Sequence, residues 1–589
     1  MLAWWLVACD GPEPGSPGDE PEPTAEPLRL SGVDLAIRTS VALRGVRPSR
    51  AELDQVAADP LALDGLVDAW VESPEFIETV KDVHAELFLL RTDAVPQFPS
   101  MGLMEGWDLQ EIYEATTNEP LELVARIVEG DRPYTELVTS PTIYATEALA
   151  IMYDLPWDPA GPEVQETTWS DGRPVSGILS SSKLWLRWES AGSNFHRGRA
   201  NLIADKLLCD SFDTRDIVVV GGINIADEEA VAEAVLTLPT CVGCHQSLDP
   251  LAGYLWGYKY ILHRNEIAAA ISDGCVDVFY EGEVPALGTS YLESHYCYPL
   301  QQYTVADEDN WAELGLRAPA YFSREAEDLV DVGQMIAEDS RFAECAVRNV
   351  MAYVTQTDRN ALPLATTLKL QEEFVASNYN FRKLASSIVK TPEFATYAEG
   401  HPGGSDAYSR MRVLRPEQLA RTVESLTGFS WVADADALDC AEAENGRYGS
   451  LCWGPVDLMT SDNFGFRSMS GGVDGTYVVQ PTHAPTPVKA LVLDRLAANA
   501  AAHLVATDFA LPANARLRLT LVEADTDDNQ AVRAQIELLL GDFLGEPSPA
   551  PSLDEFEALW QSVRNISDPS TAWMAVISAM LQDPVLWFN

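Results

Sequence analysis

The sequence predicts a mainly α-helical, multi-domain protein with small β or irregular insertions, and three observations carry that expectation. At 589 residues the chain is longer than one hydrophobic core supports, so about two to four domains are expected. Apolar residues recur at three- and four-residue spacing, as in "AELDQVAADPLALDGLVDAWV" (51–71) and "EPLELVARIVEG" (119–130), the signature of helices with one buried face. A capping residue followed by proline recurs in "VESPEF" (71–76), "VKTPEF" (389–394) and "LQDPVL" (581–586). There Ser73, Thr391 and Asp583 suit the N-cap and the prolines suit the first helical position.

Residues 1–28 open with an apolar run far shorter than the ~20 residues that span a bilayer. Leu6-Val7-Ala8-Cys9 matches the end of a bacterial lipoprotein signal, with Cys9 as the lipidated residue, although no basic stretch precedes it; a start codon placed too far downstream accounts for that. Six prolines between Asp10 and Pro27 read as an extended tether. The expectation is an exported, periplasmic or cell-surface bacterial lipoprotein held to the membrane through Cys9.

An N-terminal helical domain is expected over 29–156, ending at the loop "WDPAGPEVQETTWSDGRP" (157–174). A central domain follows over 157–400. It contains a strand candidate, "DIVVVGGINI" (216–225), then a helix capped by Asp227 and ended by Pro239, and a Gly- and Tyr-rich insertion at about 272–305. "AEGHPGGSDAYS" (398–409) is the clearest linker, and a C-terminal helical domain occupies 410–589. Arg47-Pro48 and Arg415-Pro416, followed by Leu53 and Leu419, point weakly to an internal duplication.

Ninety acidic against 39 basic residues give a net charge of -51, which repels nucleic acid and anionic membrane surfaces. Neither H-E-x-x-H nor G-x-S-x-G occurs, nor a glycine-rich phosphate loop, so common hydrolase and nucleotide readings lack support. Asp434, Asp436, Asp439 and Glu442 could offer oxygen ligands to calcium, but Leu438 and Asp439 stand where an EF-hand loop needs a ligand and a glycine. Fifteen tryptophans would serve an extracellular polymer as stacking platforms or a helical core as filler. Of nine cysteines, six outside Cys9 and the motif below suit disulfides in an exported protein. Proximity favours Cys440 with Cys452 and Cys275 with Cys297, leaving Cys209 with Cys345 as a long-range staple.

The most informative stretch is "TCVGCHQSLDP" (240–250). A zinc ribbon needs a second cysteine pair or spaced histidines, and Cys275, Cys297 and His295 are irregularly spaced. A thioredoxin-like dithiol needs a preceding core strand, whereas Cys241 follows a helix. Covalent haem accounts for Cys241, Cys244 and His245 together, as two thioether positions and one axial imidazole; zinc and dithiol stay as alternatives. The other nitrogen of His245 needs an acceptor, for which a carbonyl of the turn Leu248-Asp249-Pro250 is the candidate. Met335, Met351, His263 and His295 are candidates for a sixth ligand, against a reading of the methionines as core filler and of His263 as solvent-facing.

"CVGCHQSLDPLAGY" (241–254), "SNFHRGRANLIADKLLC" (193–209), "RFAECAVRNVMAYVTQTDRN" (341–360), "DRPYTELVTSPTIYATEALAIMYDLP" (131–156) and "LRPEQLARTVESLTG" (414–428) resemble blocks of the large exported planctomycete-type cytochrome c proteins. The family's arginine-glycine helix matches Arg197-Gly198, and its haem block matches Cys241, Cys244 and His245. This chain departs from it at Leu255-Trp256-Gly257-Tyr258, where the family carries an acidic-aromatic run, and in the insertion that follows. The resemblance implies a central c-type haem domain with one covalent haem c. The expected function is electron transfer with redox partner proteins at the periplasmic or outer cell surface. The alternatives are an extracellular binding, scaffold or sensory protein with structural haem, and a haem-dependent oxidoreductase on an extracellular substrate. A single C-x-x-C-H gives no support to a di-haem peroxidase.

Overall fold

Helices start where short polar side chains take up the amides that a first turn leaves unpaired. Ser73 accepts from the Phe76 amide (3.3 Å), Thr391 from Phe394 (3.2 Å) and Asp583 from Val585 (2.9 Å), each directly ahead of a proline. The Arg-Pro repeat is less regular. Pro416 is the first residue of the helix Pro416–Thr427, but Pro48 lies outside the helix Arg50–Ala58, whose cap is Ser49 in a reciprocal box with Glu52.

The computed structural model describes residues 28–92, 98, 102–190, 194–215, 227–259, 275–279, 293–398, 412–433, 456–461 and 464–588. The fold is mainly helical, 59% helix against 4% strand, as the apolar spacing predicts. Cys9 and its tether, the strand candidate at 216–225, His263, the linker from residue 399 onward, the acidic stretch 434–442, Cys440 and Cys452 lie outside the described residues.

The strands form two-stranded antiparallel pairs. Ile143–Ala145 pairs with Gln165–Thr167, placing Tyr144 opposite Glu166; three-residue strands are too short to announce themselves by alternation, and the sequence read them as helix and loop. Cys275–Phe279 pairs with Glu293–Cys297 inside the expected insertion, with Cys275 opposite Cys297 in the backbone register. Leu28–Arg29 pairs with Thr396–Ala398, and Val413 forms an isolated bridge to Phe588.

Buried side chains gather into separate interiors. The largest runs from Ala36 to Phe394 and includes Trp70, Trp185, Phe342 and Met351; it draws on helices from both sides of the loop at 157–174. A second runs from Leu414 to Leu586 around Trp560 and Trp573, with Val41 as a visitor from the first stretch. A third surrounds Ile143, Met152, Leu186 and Leu300. Fully burying one large apolar side chain contributes about 2–3 kcal/mol, so each interior holds its own helices together.

A buried ionic seam joins the first two. Arg415 pairs with both oxygens of Glu86 (2.8 and 3.1 Å) and lies 3.7 Å over the Tyr353 ring. Asp82 takes Arg91 (2.9 Å) and Arg421 (2.6 Å), and Arg467 Nε reaches Glu417 at 2.8 Å. Such pairs fix registry more than they add stability. Cys209, at the end of the helix Arg197–Leu208, is joined by a disulfide to Cys345 on the helix Ser340–Thr355, with Cα atoms 5.3 Å apart. Among the described residues no helix is long and apolar enough to cross a membrane.

Candidate functional site

The C-x-x-C-H motif lies on one helix, Pro239–Gly253, which starts at Pro239 because proline's missing amide costs nothing at a first helical position. At 3.6 residues per turn, Cys241, Cys244 and His245 share one face. Both thiols are free and half-buried, and Cys244 packs against the main interior. The helix continues through Leu248, Asp249 and Pro250, so the expected turn is not formed. Helical carbonyls run along the axis, and the side chain four residues on is the nearer acceptor. His245 Nδ1 accordingly meets Asp249 Oδ1 at 2.8 Å, while the Pro250 carbonyl accepts from the Ala320 amide at 3.2 Å.

A carboxylate acceptor requires the proton on Nδ1, which leaves the lone pair of His245 on Nε2. Asp249 is buried, its side chain 6% exposed, and is held from two further directions. Arg197 donates Nε to Oδ1 (2.7 Å) and Nη2 to Oδ2 (3.3 Å), and Arg317 donates Nη1 to Oδ2 (3.2 Å). Burial pushes the Asp249 pKa up, but the hydrogen bonds from His245 and Arg197 and the Arg197 charge outweigh it and hold the carboxyl below the usual carboxylate value. Arg317 also reaches the His245 carbonyl (3.4 Å) and the Val235 carbonyl of the preceding helix (3.1 Å). One guanidinium thus ties together both helices and the carboxylate.

Arg197 owes its place to an unusual approach. Phe195 (φ 53°) and His196 (φ 60°) are consecutive non-glycine residues in the left-handed region, immediately before the helix Arg197–Leu208, a conformation that costs about 1–2 kcal/mol per residue. Packing holds it. Phe195 stacks on Trp256 at 6.1 Å, His196 meets the same ring edge-on at 5.6 Å, and the His196 amide donates to Ser190 Oγ at 3.0 Å. Burial and the adjacent Arg199 guanidinium push the His196 pKa well below its ordinary value, so this imidazole is neutral.

The stretch 255–258 is fixed by packing. A Cβ on Gly257 would stand 2.4 Å from the Tyr303 ring, so only glycine admits that ring, which meets Tyr258 edge-on at 4.8 Å. Met351 is wholly buried in the main interior, and Met335, on the helix Leu329–Glu338, is half-buried against it. His295 lies in the strand Glu293–Cys297, in register with Asp277. Among the described residues no group of three or more His, Cys, Asp or Glu side chains is arranged to hold a metal ion unaided. Cys241, Cys244 and His245, on one helix face, are the residues that could hold a cofactor. Asp249 as the partner of His245, and Arg317 68 residues further along the chain, were not read from the sequence; only the i,i+4 spacing of His245 and Asp249 offered a signal. No protein-family model, no curated protein and no solved structure matches this chain.

Proposed function

We propose that the chain is an exported, lipid-anchored, mono-haem c-type cytochrome that transfers electrons at the periplasmic or outer cell surface. One observation carries the reading: two unpaired thiols and an imidazole occupy one face of a single helix, and that imidazole has its Nδ1 fixed by a buried carboxylate. This donor set fits a covalently attached haem, which Cys241 and Cys244 would hold through thioether bonds and His245 through Nε2. When bound, the haem would supply one-electron chemistry. The chain's own residues set the conditions for it. Asp249 orients the His245 ring and fixes its tautomer, while Arg197 and Arg317 hold the Asp249 carboxylate in place. The Cys209–Cys345 disulfide supports an oxidising, exported location, as do the resemblance of the flanking blocks and the match around Cys9.

The hydrogen bond from His245 to a carboxylate rather than a carbonyl favours, as a second reading, a haem-dependent oxidoreductase, because a carboxylate partner lets the imidazole donate more electron density to an iron that binds and activates ligands. Both readings meet the same test. The protein is made with a cytochrome c maturation system, and a pyridine haemochrome spectrum is taken with an intact mass. One covalent haem with a low-spin, reversible redox wave is the expected result; a high-spin spectrum responsive to carbon monoxide or peroxide selects the oxidoreductase. Colourless protein with both thiols free, or with zinc bound to them, overturns both.

A further inference from the structure

A cavity of about 420 Å3 opens between the helix Leu109–Glu129 and the segment 144–164, a volume that suits a small organic ligand. Three aromatic side chains line it: Trp107, Tyr144 and Trp157. Every charged side chain on its wall is a carboxylate, from Glu111, Glu114, Glu119, Glu122, Glu147 and Glu163. The far wall is braced from behind. Strand pairing sets Tyr144 opposite Glu166. Gln165 closes the loop that carries Trp157, accepting from the Asp158 amide (3.1 Å) and donating to the Asp158 and Pro162 carbonyls (2.7 and 3.0 Å).

The surrounding cations answer little of this negative charge. Lys81 and Arg126 reach Glu122 (2.7 and 3.6 Å), Arg91 is held by Asp82 (2.9 Å), and Arg132 pairs with Glu136 (3.0 Å) while donating to the Tyr144 hydroxyl (3.4 Å). Glu111 closes its own helix cap (3.4 Å) and Glu114 accepts from Gln110 (2.8 Å), whereas the carboxylates of Glu147 and Glu163 have neither hydrogen bond nor ion pair among the described residues. Glu119 is the decisive one. It is 3% exposed, Ser181 donates to its Oε2 at 2.5 Å, and no lysine or arginine among the described residues forms an ion pair with it. Burial raises its pKa to about 7 against the opposing effects of Ser181, the Arg173 charge and the Lys183 and Ser182 amides. A buried carboxylate with no cation in contact is costly, and this one stands on a cavity wall where a ligand's positive charge would meet it. The acids are also dispersed: among the described residues no three His, Cys, Asp or Glu side chains are arranged to hold a metal ion. Negative charge spread among aromatic rings suits a cation with an apolar frame better than a bare ion.

We propose that this cavity binds an organic ammonium ion, its charged nitrogen set against Glu119 and its apolar frame against the indoles of Trp107 and Trp157. The inference is independent of the haem reading. The full-length protein is titrated with choline, with putrescine, with calcium chloride and with dimethylbutanol, the uncharged analogue of choline in which carbon replaces nitrogen. Calorimetry and thermal shift are read at matched ionic strength. Choline or putrescine should bind saturably and raise the melting temperature, and the stronger of the two tells a quaternary from a primary ammonium. Glu119→Gln should weaken binding about tenfold, one charge-assisted contact. Trp157→Leu, at a half-buried side chain, should weaken it about fivefold by removing one cation–π face; this variant decides the matter if Glu119→Gln does not fold. An equal response to dimethylbutanol or to calcium, no response to either amine, or unchanged binding by either folded variant would overturn the proposal.

Discussion

Asp249→Asn is the substitution that most directly probes how the motif helix is held. The wild-type carboxylate accepts at 2.8 Å from His245, at 2.7 and 3.3 Å from Arg197 and at 3.2 Å from Arg317. An asparagine keeps one acceptor oxygen and turns an NH2 group toward a guanidinium, at a side chain only 6% exposed, where water cannot substitute. Removing one partner of a buried ion pair costs about 3–5 kcal/mol. Arg197 and Arg317 keep side-chain exposures of 18% and 22% and recover some hydration, which places the cost near the lower end, about 3 kcal/mol. Amide hydrogen exchange of peptides covering 239–253, read by mass spectrometry, should then quicken by roughly 100-fold. In the haem-loaded protein the midpoint potential should rise, since the His245 imidazole loses the negative charge of its hydrogen-bond partner. Exchange within about twofold of wild type would show that the Asp249 contacts are surface decoration and refute the reasoning.

Two further outcomes are expected. Burial raises the Glu119 pKa from 4.5 to about 7, although Ser181 donates to its carboxyl at 2.5 Å. The folded chain therefore binds this proton more tightly than the unfolded one, and the stability it contributes is complete below pH 4.5 and lost as the pH climbs through about 7, about 3 kcal/mol in all. Glu119→Gln should flatten the melting-temperature profile across that window; an unaltered slope would count against it. The Cys209–Cys345 bridge closes a separation of 136 residues, for which loop entropy gives at most about 5 kcal/mol. Cys209→Ser with Cys345→Ser should melt well below the wild type and match the wild type under reducing conditions, whereas equal melting of all three would exclude a stabilising role.

The helical architecture was legible because it rests on local chemistry. Ser73, Thr391 and Asp583 cap helices for reasons visible within four residues, and the apolar stripes of 51–71 and 119–130 report their own burial. The motif at 241–245 was legible for the same reason. What surrounds it was not. Arg317 reaches Asp249 from an irregular segment with no periodicity to mark it, and the left-handed pair Phe195-His196 depends on Trp256, 60 positions further on. The strands Ile143–Ala145 and Gln165–Thr167 are shorter than a pattern needs. The turn carbonyl expected at Leu248-Asp249-Pro250 is not available to His245, because Pro250 is carried inside the helix and the Asp249 side chain meets the ring instead.

The pairing of Leu28–Arg29 with Thr396–Ala398, and of Val413 with Phe588, means that each of two long stretches returns to where it set out. A stretch whose extremities touch can be spliced into a surface turn of another protein, or reopened at a different loop, with little added closure entropy. Val41, lodged in the neighbouring interior, is a contact that such a transplant would have to replace.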